Sequence, residues 1–91
     1  MRILIIEDEQ ELNNSIVTYL QQEGYSCDAA YDFKEASLKI ADLPYTCVLV
    51  DLNLPHGNGL DIVRLLKENT PETGIIIISA KNELDDRITG L

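Results

Sequence analysis

Ile3-Leu4-Ile5-Ile6-Glu7-Asp8 and Cys47-Val48-Leu49-Val50-Asp51 share one pattern, an unbroken apolar run that ends in carboxylates. A run this short and this apolar reads as a strand with both faces covered, the usual condition of strands in a parallel sheet. Acids placed directly after two such strands come to the carboxyl edge of the sheet, where open α/β sheets bind ligands. Three carboxylates held together repel one another, and a hard cation such as Mg²⁺ relieves that repulsion. Glu7, Asp8 and Asp51 are therefore the candidate metal site.

Outward from these runs, helical and extended patterns alternate. Leu12, Ile16, Tyr19 and Leu20 recur with helical spacing, and Gly24 stands where a left-handed cap would stop that helix. Tyr25, Cys27 and Ala29 alternate with polar residues, as in a half-exposed strand. Asp32 with Glu35 reads as a capping-box-like start to a second helix, which turns Phe33, Ala36 and Ile40 inward and ends before Pro44. Tyr45 to Val50 is the third strand, and the turn-rich stretch 52–59 follows Asp51. A third helix runs through Leu60, Val63 and Leu66 to about Asn69. Ile75 to Ile78 is a fourth strand ending in Ser79-Ala80, and Leu84, Ile88 and Leu91 have the spacing of a fourth helix. This alternation predicts one α/β domain over residues 1–91, a doubly wound parallel sheet with right-handed crossovers. Glu7-Asp8, Asp51 and Ser79 then share one rim.

Composition narrows the function classes. Apolar residues make up 45% and charged residues 25%, ordinary for a globular protein. Sixteen acidic against seven basic residues give a net charge of −9, which argues against this segment gripping a phosphate backbone itself. Cys27 and Cys47 fit no metal or redox spacing and read as reduced core thiols. No stretch is long enough to span a membrane, and Met1-Arg2 leads directly into the first strand, so a cytoplasmic location is expected.

A carboxylate nucleophile, a divalent metal and a hydroxyl donor suffice to move a phosphoryl group, since that chemistry asks mainly for positioning and charge neutralisation. Asp51 could attack phosphorus and form an aspartyl phosphate, with Glu7 and Asp8 holding Mg²⁺ and Ser79 bonding a phosphoryl oxygen.

The chain resembles the receiver domain of bacterial two-component response regulators. The resemblance is carried by Arg-Ile-Leu-Ile-Ile-Glu-Asp-Glu at 2–9, Val-Leu-Val-Asp-Leu-Asn-Leu-Pro at 48–55 with Gly59 after it, and Ile-Ile-Ser-Ala at 77–80. The stretch Asp85-Asp86-Arg87-Ile88-Thr89-Gly90-Leu91 is similar to the fourth helix of the OmpR-like branch. The resemblance implies a flavodoxin-like fold with strand order 2-1-3-4-5. It makes Asp51 the phospho-acceptor, Glu7 and Asp8 the Mg²⁺-binding pair, and Ser79 the switch hydroxyl. Asn53 would give a backbone carbonyl to the metal, while the side chains of Asn53 and Lys81 flank the site. The implied donor is a phosphohistidine on a sensor histidine kinase docking largely on the first helix. The implied output is transcriptional, through a DNA-binding domain absent from this chain. Receivers also carry a fifth strand with a lysine, an aromatic switch residue and a fifth helix, none of which these 91 residues hold. Lys81 is not that lysine, because it directly follows the fourth strand. The receiver is thus expected to be incomplete at its C-terminus, with the fourth strand as an apolar edge prone to self-association or element exchange.

Other readings weigh less. A haloacid-dehalogenase-type phosphatase also uses an aspartate nucleophile, but it needs a second Asp where Asn53 stands. A dinucleotide site needs a glycine-rich first loop, and Glu7-Asp8-Glu9 would repel phosphates there. A degenerate, unphosphorylated receiver serving as an interaction module is the remaining alternative. The expected protein is a self-modifying phospho-acceptor and not a turnover enzyme. Glu9 reads as a first-turn acid, His56 as a solvated loop residue, and the four tyrosines as packing or partner surface.

Overall fold

The computed structural model describes residues 1–54 and 58–78. His56, Ser79, Lys81 and the fourth-helix stretch lie outside the described residues. The order of elements is β1 (Arg2–Ile6), α1 (Gln10–Gln22), β2 (Ser26–Ala30), α2 (Phe33–Asp42), β3 (Cys47–Asp51), α3 (Gly59–Asn69) and β4 (Gly74–Ile78). All strand pairs are parallel and the sheet runs β2-β1-β3-β4, the α/β arrangement expected from the alternation.

Central β1 is buried on both sides. Leu4 and Ile6 join Val48 and Val50 of β3 in a core closed by Ala36, Ile62, Val63 and Leu66 from α2 and α3. Ile3 and Ile5 alternate to the opposite face and are also buried, where α1 packs on β1 and β2. Full burial of each such side chain contributes about 1.5–3 kcal/mol, so β1 is the costliest strand to disturb.

Four local readings shift. The inward stripe of α1 is Asn13, Ile16, Val17 and Leu20, whereas Leu12 and Tyr19 face solvent. Spacing of three, four and seven residues gives one helix face, and its first position here is a polar residue. In α3 the buried stripe is Gly59, Ile62, Val63 and Leu66, and Leu60 lies outside it. β3 begins at Cys47 instead of Tyr45 and includes Asp51, which pairs in register with Ile78. Glu9 is the N-cap of α1, one position before its first turn.

The caps follow local chemistry. Gly24 takes φ +97° just past α1, a conformation costly for a side chain with a Cβ. Asp32 Oδ1 accepts the Glu35 N–H at 2.8 Å, while Glu35 Oε1 accepts the Tyr31 N–H at 2.7 Å. Asn58 Oδ1 accepts the Leu60 N–H at 2.9 Å and starts α3.

Away from the acids, Asp28 Oδ2 accepts from Arg2 at 2.9 Å and from the Tyr45 hydroxyl at 2.8 Å. Burial alone would raise the Asp28 carboxyl, but these two hydrogen bonds and the cationic charges of Arg2 and Lys39 bring it below the usual range. Cys27 and Cys47 each pair in register with Ile3 and so sit two strands apart, roughly 9–10 Å, too far for a disulfide. Burial pushes both thiols up, which keeps them protonated.

Candidate functional site

The β1–β3 pairing ends with Ile6 opposite Val50, so Glu7 after β1 comes level with Asp51, the last residue of β3. The acids at these ends therefore meet: one carboxylate oxygen from each of Glu7, Asp8 and Asp51 lies within 4.8 Å of the others. Glu7 and Asp51 are 4% and 3% exposed, and Asp8 is half-buried.

Glu7 and Asp51 stand on a fixed backbone. The Glu7 N–H donates to the Ala30 carbonyl at 3.0 Å, continuing the β1–β2 pairing by one residue. Glu7 Oε2 accepts the Glu9 N–H at 2.9 Å, at the mouth of α1, where a negative charge is favoured. Asp51 Oδ1 accepts the Asn53 N–H at 3.0 Å, closing the turn after β3. The Leu52 N–H reaches the Ile78 carbonyl at 3.2 Å, so the acceptor loop is tied to the end of β4.

The electrostatics combine burial with like-charge crowding, burial having the larger effect on Glu7. Burial raises the Glu7 carboxyl to about 7; the Glu9 N–H opposes this, and hydrogen bonding with Asp8 and Asp51 and the charge of Asp51 add to it. Oxygen-only donors with this excess of negative charge fit a hard divalent cation of the Mg²⁺ type. A cation among them removes the reason for Glu7 to keep its proton.

This sets a pH dependence. Glu7 binds a proton more tightly folded than unfolded, so its contribution is full below about 4.5 and is lost as pH rises through about 7. Asp28 acts oppositely: its contribution is present above its ordinary value and disappears as pH falls through its lowered one. Cation-free protein should therefore be most stable near pH 5 and lose roughly 1–3 kcal/mol by pH 8. Adding Mg²⁺ at pH 8 should restore much of that loss. Urea unfolding at the two pH values, with chelator or with Mg²⁺, reads all four conditions; a stability that does not change between pH 5 and 8 in chelator would contradict the Glu7 account.

Of the residues expected at the site, Glu7, Asp8 and Asp51 come together, and Asn53 stays beside Asp51 through its N–H. The Asn53 Nδ2 is buried and has no partner among the described residues. Ser79 and Lys81 lie outside the described residues. Asn13 was not legible as a site residue. It is fully buried beneath the acids, its Nδ2 within 3.1 Å of the Ile5 carbonyl, 3.0 Å of the Glu7 carbonyl and 3.1 Å of the Ala30 carbonyl. The available signal was a polar residue occupying the Asn13-Ile16-Val17-Leu20 stripe.

The chain is similar to known proteins in sequence and in fold. The family model of the response regulator receiver domain matches residues 3–91. The response regulator ArlR of Staphylococcus saprophyticus is 43% identical over 90 residues, covering 99% of this chain and 40% of that protein. The transcriptional regulatory protein PmrA of Pectobacterium parmentieri is 36% identical over 91 residues, covering all of this chain and 41% of that protein. The chain thus spans about two fifths of the length of these curated relatives. A solved complex of histidine kinase ThkA with response regulator TrrA contains a chain of the same fold. The match has TM-score 0.80 and 30% identity, over 87% of this chain and 68% of that one.

Proposed function

The chain belongs to the response regulator receiver domain family, and from that membership we propose a phosphorylation switch in which Asp51 accepts a phosphoryl group from a sensor histidine kinase. The observation that carries the proposal is the convergence of Glu7, Asp8 and Asp51 within 4.8 Å at the ends of β1 and β3. Glu7, Asp8 and Asp51 would hold Mg²⁺ together with the Asn53 backbone carbonyl. The cation, when bound, neutralises charge on the phosphoryl oxygens.

Asp51 supplies the nucleophile. A bond forms from its carboxylate oxygen to phosphorus as the phosphorus–nitrogen bond of the donor phosphohistidine breaks, and the electron pair leaves with the imidazole, which takes up a proton. The buried Asp51 is held in place by the Asn53 N–H, and the Asn53 Nδ2, which has no partner among the described residues, is a donor suited to a phosphoryl oxygen. Ser79 is assigned the switch hydroxyl by its family position. The chain modifies itself and does not turn over a separate substrate. The kinase partner is supported by the ThkA–TrrA complex, and a transcriptional output by the PmrA relative. That output would act through a DNA-binding domain outside these 91 residues, in the cytoplasm. Among the described residues, no helix is long and apolar enough to cross a membrane.

Incubation with a small acyl phosphate and Mg²⁺ tests the proposal. Intact mass should show one added phosphoryl group per chain, absent when the cation is chelated. An unchanged mass in saturating Mg²⁺ would favour the interaction module without phosphorylation.

The outer side of β4 favours an accompanying reading, self-association. Ile76 and Ile77 are 53% and 50% exposed, and β4 is the sheet edge among the described residues. Unpaired β-branched edges template pairing with another chain. Sedimentation velocity on the 91-residue chain should show dimers growing with concentration, and a monomer throughout the range would remove this reading.

A further inference from the structure

Asn13 belongs to α1 and sits where the backbone supporting the three acids converges. Its Nδ2 faces three main-chain carbonyls, those of Ile5, Glu7 and Ala30, at 3.0–3.1 Å. An amide nitrogen carries two hydrogens, so three acceptors share them. The reverse amide orientation would set Oδ1 against three carbonyl oxygens, which fixes the assignment. The side chain is 0% exposed, and Oδ1 has no partner among the described residues. A helix face that packs on a strand ordinarily carries an apolar residue at such a point, and burying an amide with an unpaired oxygen is unfavourable. Packing alone does not account for asparagine here.

The Glu7 carbonyl belongs to the peptide plane that joins Glu7 to Asp8. Fixing its oxygen fixes the directions in which both carboxylates leave the main chain. The other bonds of this segment hold Glu7 at its N–H and its carboxylate, through Ala30 and Glu9. Asn13 supplies a further restraint, at the peptide between the two acids. We propose that Asn13 is a positioning residue for the cation site, presetting the Glu7–Asp8 peptide so that the two carboxylates meet a divalent cation without rearrangement. The proposal rests on the metal-binding role assigned above to Glu7, Asp8 and Asp51. Residues that orient metal ligands typically change affinity by about 10–100-fold when removed.

The test compares wild type with Asn13→Leu, which keeps the size of the side chain and a good helix former but removes the donor. Mn²⁺ and Mg²⁺ are titrated by calorimetry at a temperature where circular dichroism shows both proteins fully folded. Asn13→Leu should bind both cations about 10–100-fold more weakly. Leu66→Ala, destabilised in the core away from the acids, should retain wild-type affinity; a similar loss there would assign the effect to general loosening and overturn the proposal. Equal affinity of Asn13→Leu and wild type would overturn it directly. If wild type itself binds neither cation, the metal-binding reading fails first and the role of Asn13 with it. Where Asn13→Leu does not fold, the wild-type Asn13 side-chain amide resonances decide. They should shift during Mg²⁺ titration along the same saturation curve as the Glu7 and Asp8 main-chain amides, and an unmoved Asn13 amide would refute the proposal.

Discussion

Replacing Asp51 with asparagine should reduce phosphoryl uptake from a small acyl phosphate to background, with the protein still folded. The side-chain amide keeps the size of the carboxylate, and its oxygen can still accept the Asn53 N–H that holds Asp51 at 3.0 Å. It has no anionic oxygen to attack phosphorus, so the acceptor is lost outright and not merely slowed. The same change removes one of the three crowded charges. Hydrogen bonding and charge from Asp51 both raise the Glu7 carboxyl, so Glu7 in Asp51→Asn should titrate closer to the ordinary glutamate range. Cation-free Asp51→Asn should then be at least as stable at pH 8 as wild type. Intact mass and carboxyl NMR read the two effects on one sample. A phosphoryl group still gained by Asp51→Asn would transfer the acceptor role to Glu7 or Asp8.

Gly59→Ala should be among the most destabilising single-methyl additions in the chain. A Cβ at residue 59 would lie 2.5 Å from the Asp51 carbonyl oxygen, 2.7 Å from Leu52 Cα and 3.1 Å from the Asp51 carbonyl carbon. All three are main-chain atoms, so no side chain can swing aside. Either the first turn of α3 lifts from the core or the backbone of Asp51 and Leu52 is displaced. Overpacking of this kind costs about 1–3 kcal/mol, sometimes more. In a domain of this size each kcal/mol lowers Tm by roughly 4–8 °C, so a fall of about 4–24 °C is expected. The strain falls on the acceptor itself, so phosphoryl uptake should drop even below the new Tm. Calorimetry with intact mass at low temperature separates the two losses. A variant with wild-type Tm would mean that α3 approaches β3 less closely than this.

The sheet was legible because β1 and β3 are unbroken apolar runs ending in acids, a pattern that fixes strand ends as well as strands. Register was the harder quantity. That Ile6 pairs with Val50, bringing the carboxylates within 4.8 Å, depends on crossovers that no local pattern encodes. Helix faces were misread where polarity and burial part company. Asn13 is buried because its amide meets three carbonyls, while Tyr19 is 61% exposed despite its apolar ring. Tyr45 reads as the start of a strand from its neighbours, but its hydroxyl is drawn to Asp28, seventeen residues away, and the ladder starts two residues later. The acids of the candidate site were readable because they follow strands. The restraints upon them were not, since these are main-chain bonds and close approaches between distant segments, such as Gly59 against Asp51.

The strand order β2-β1-β3-β4 divides the sheet into two βαβ halves, β1-α1-β2 and β3-α3-β4, whose strands meet between β1 and β3 among the described residues. Glu7 and Asp8 stand on one half and Asp51 on the other. A cation gripping all three would be a strap across that seam, and its binding free energy would count directly against the two halves parting. The site would then work as a lock on the joint between the two halves.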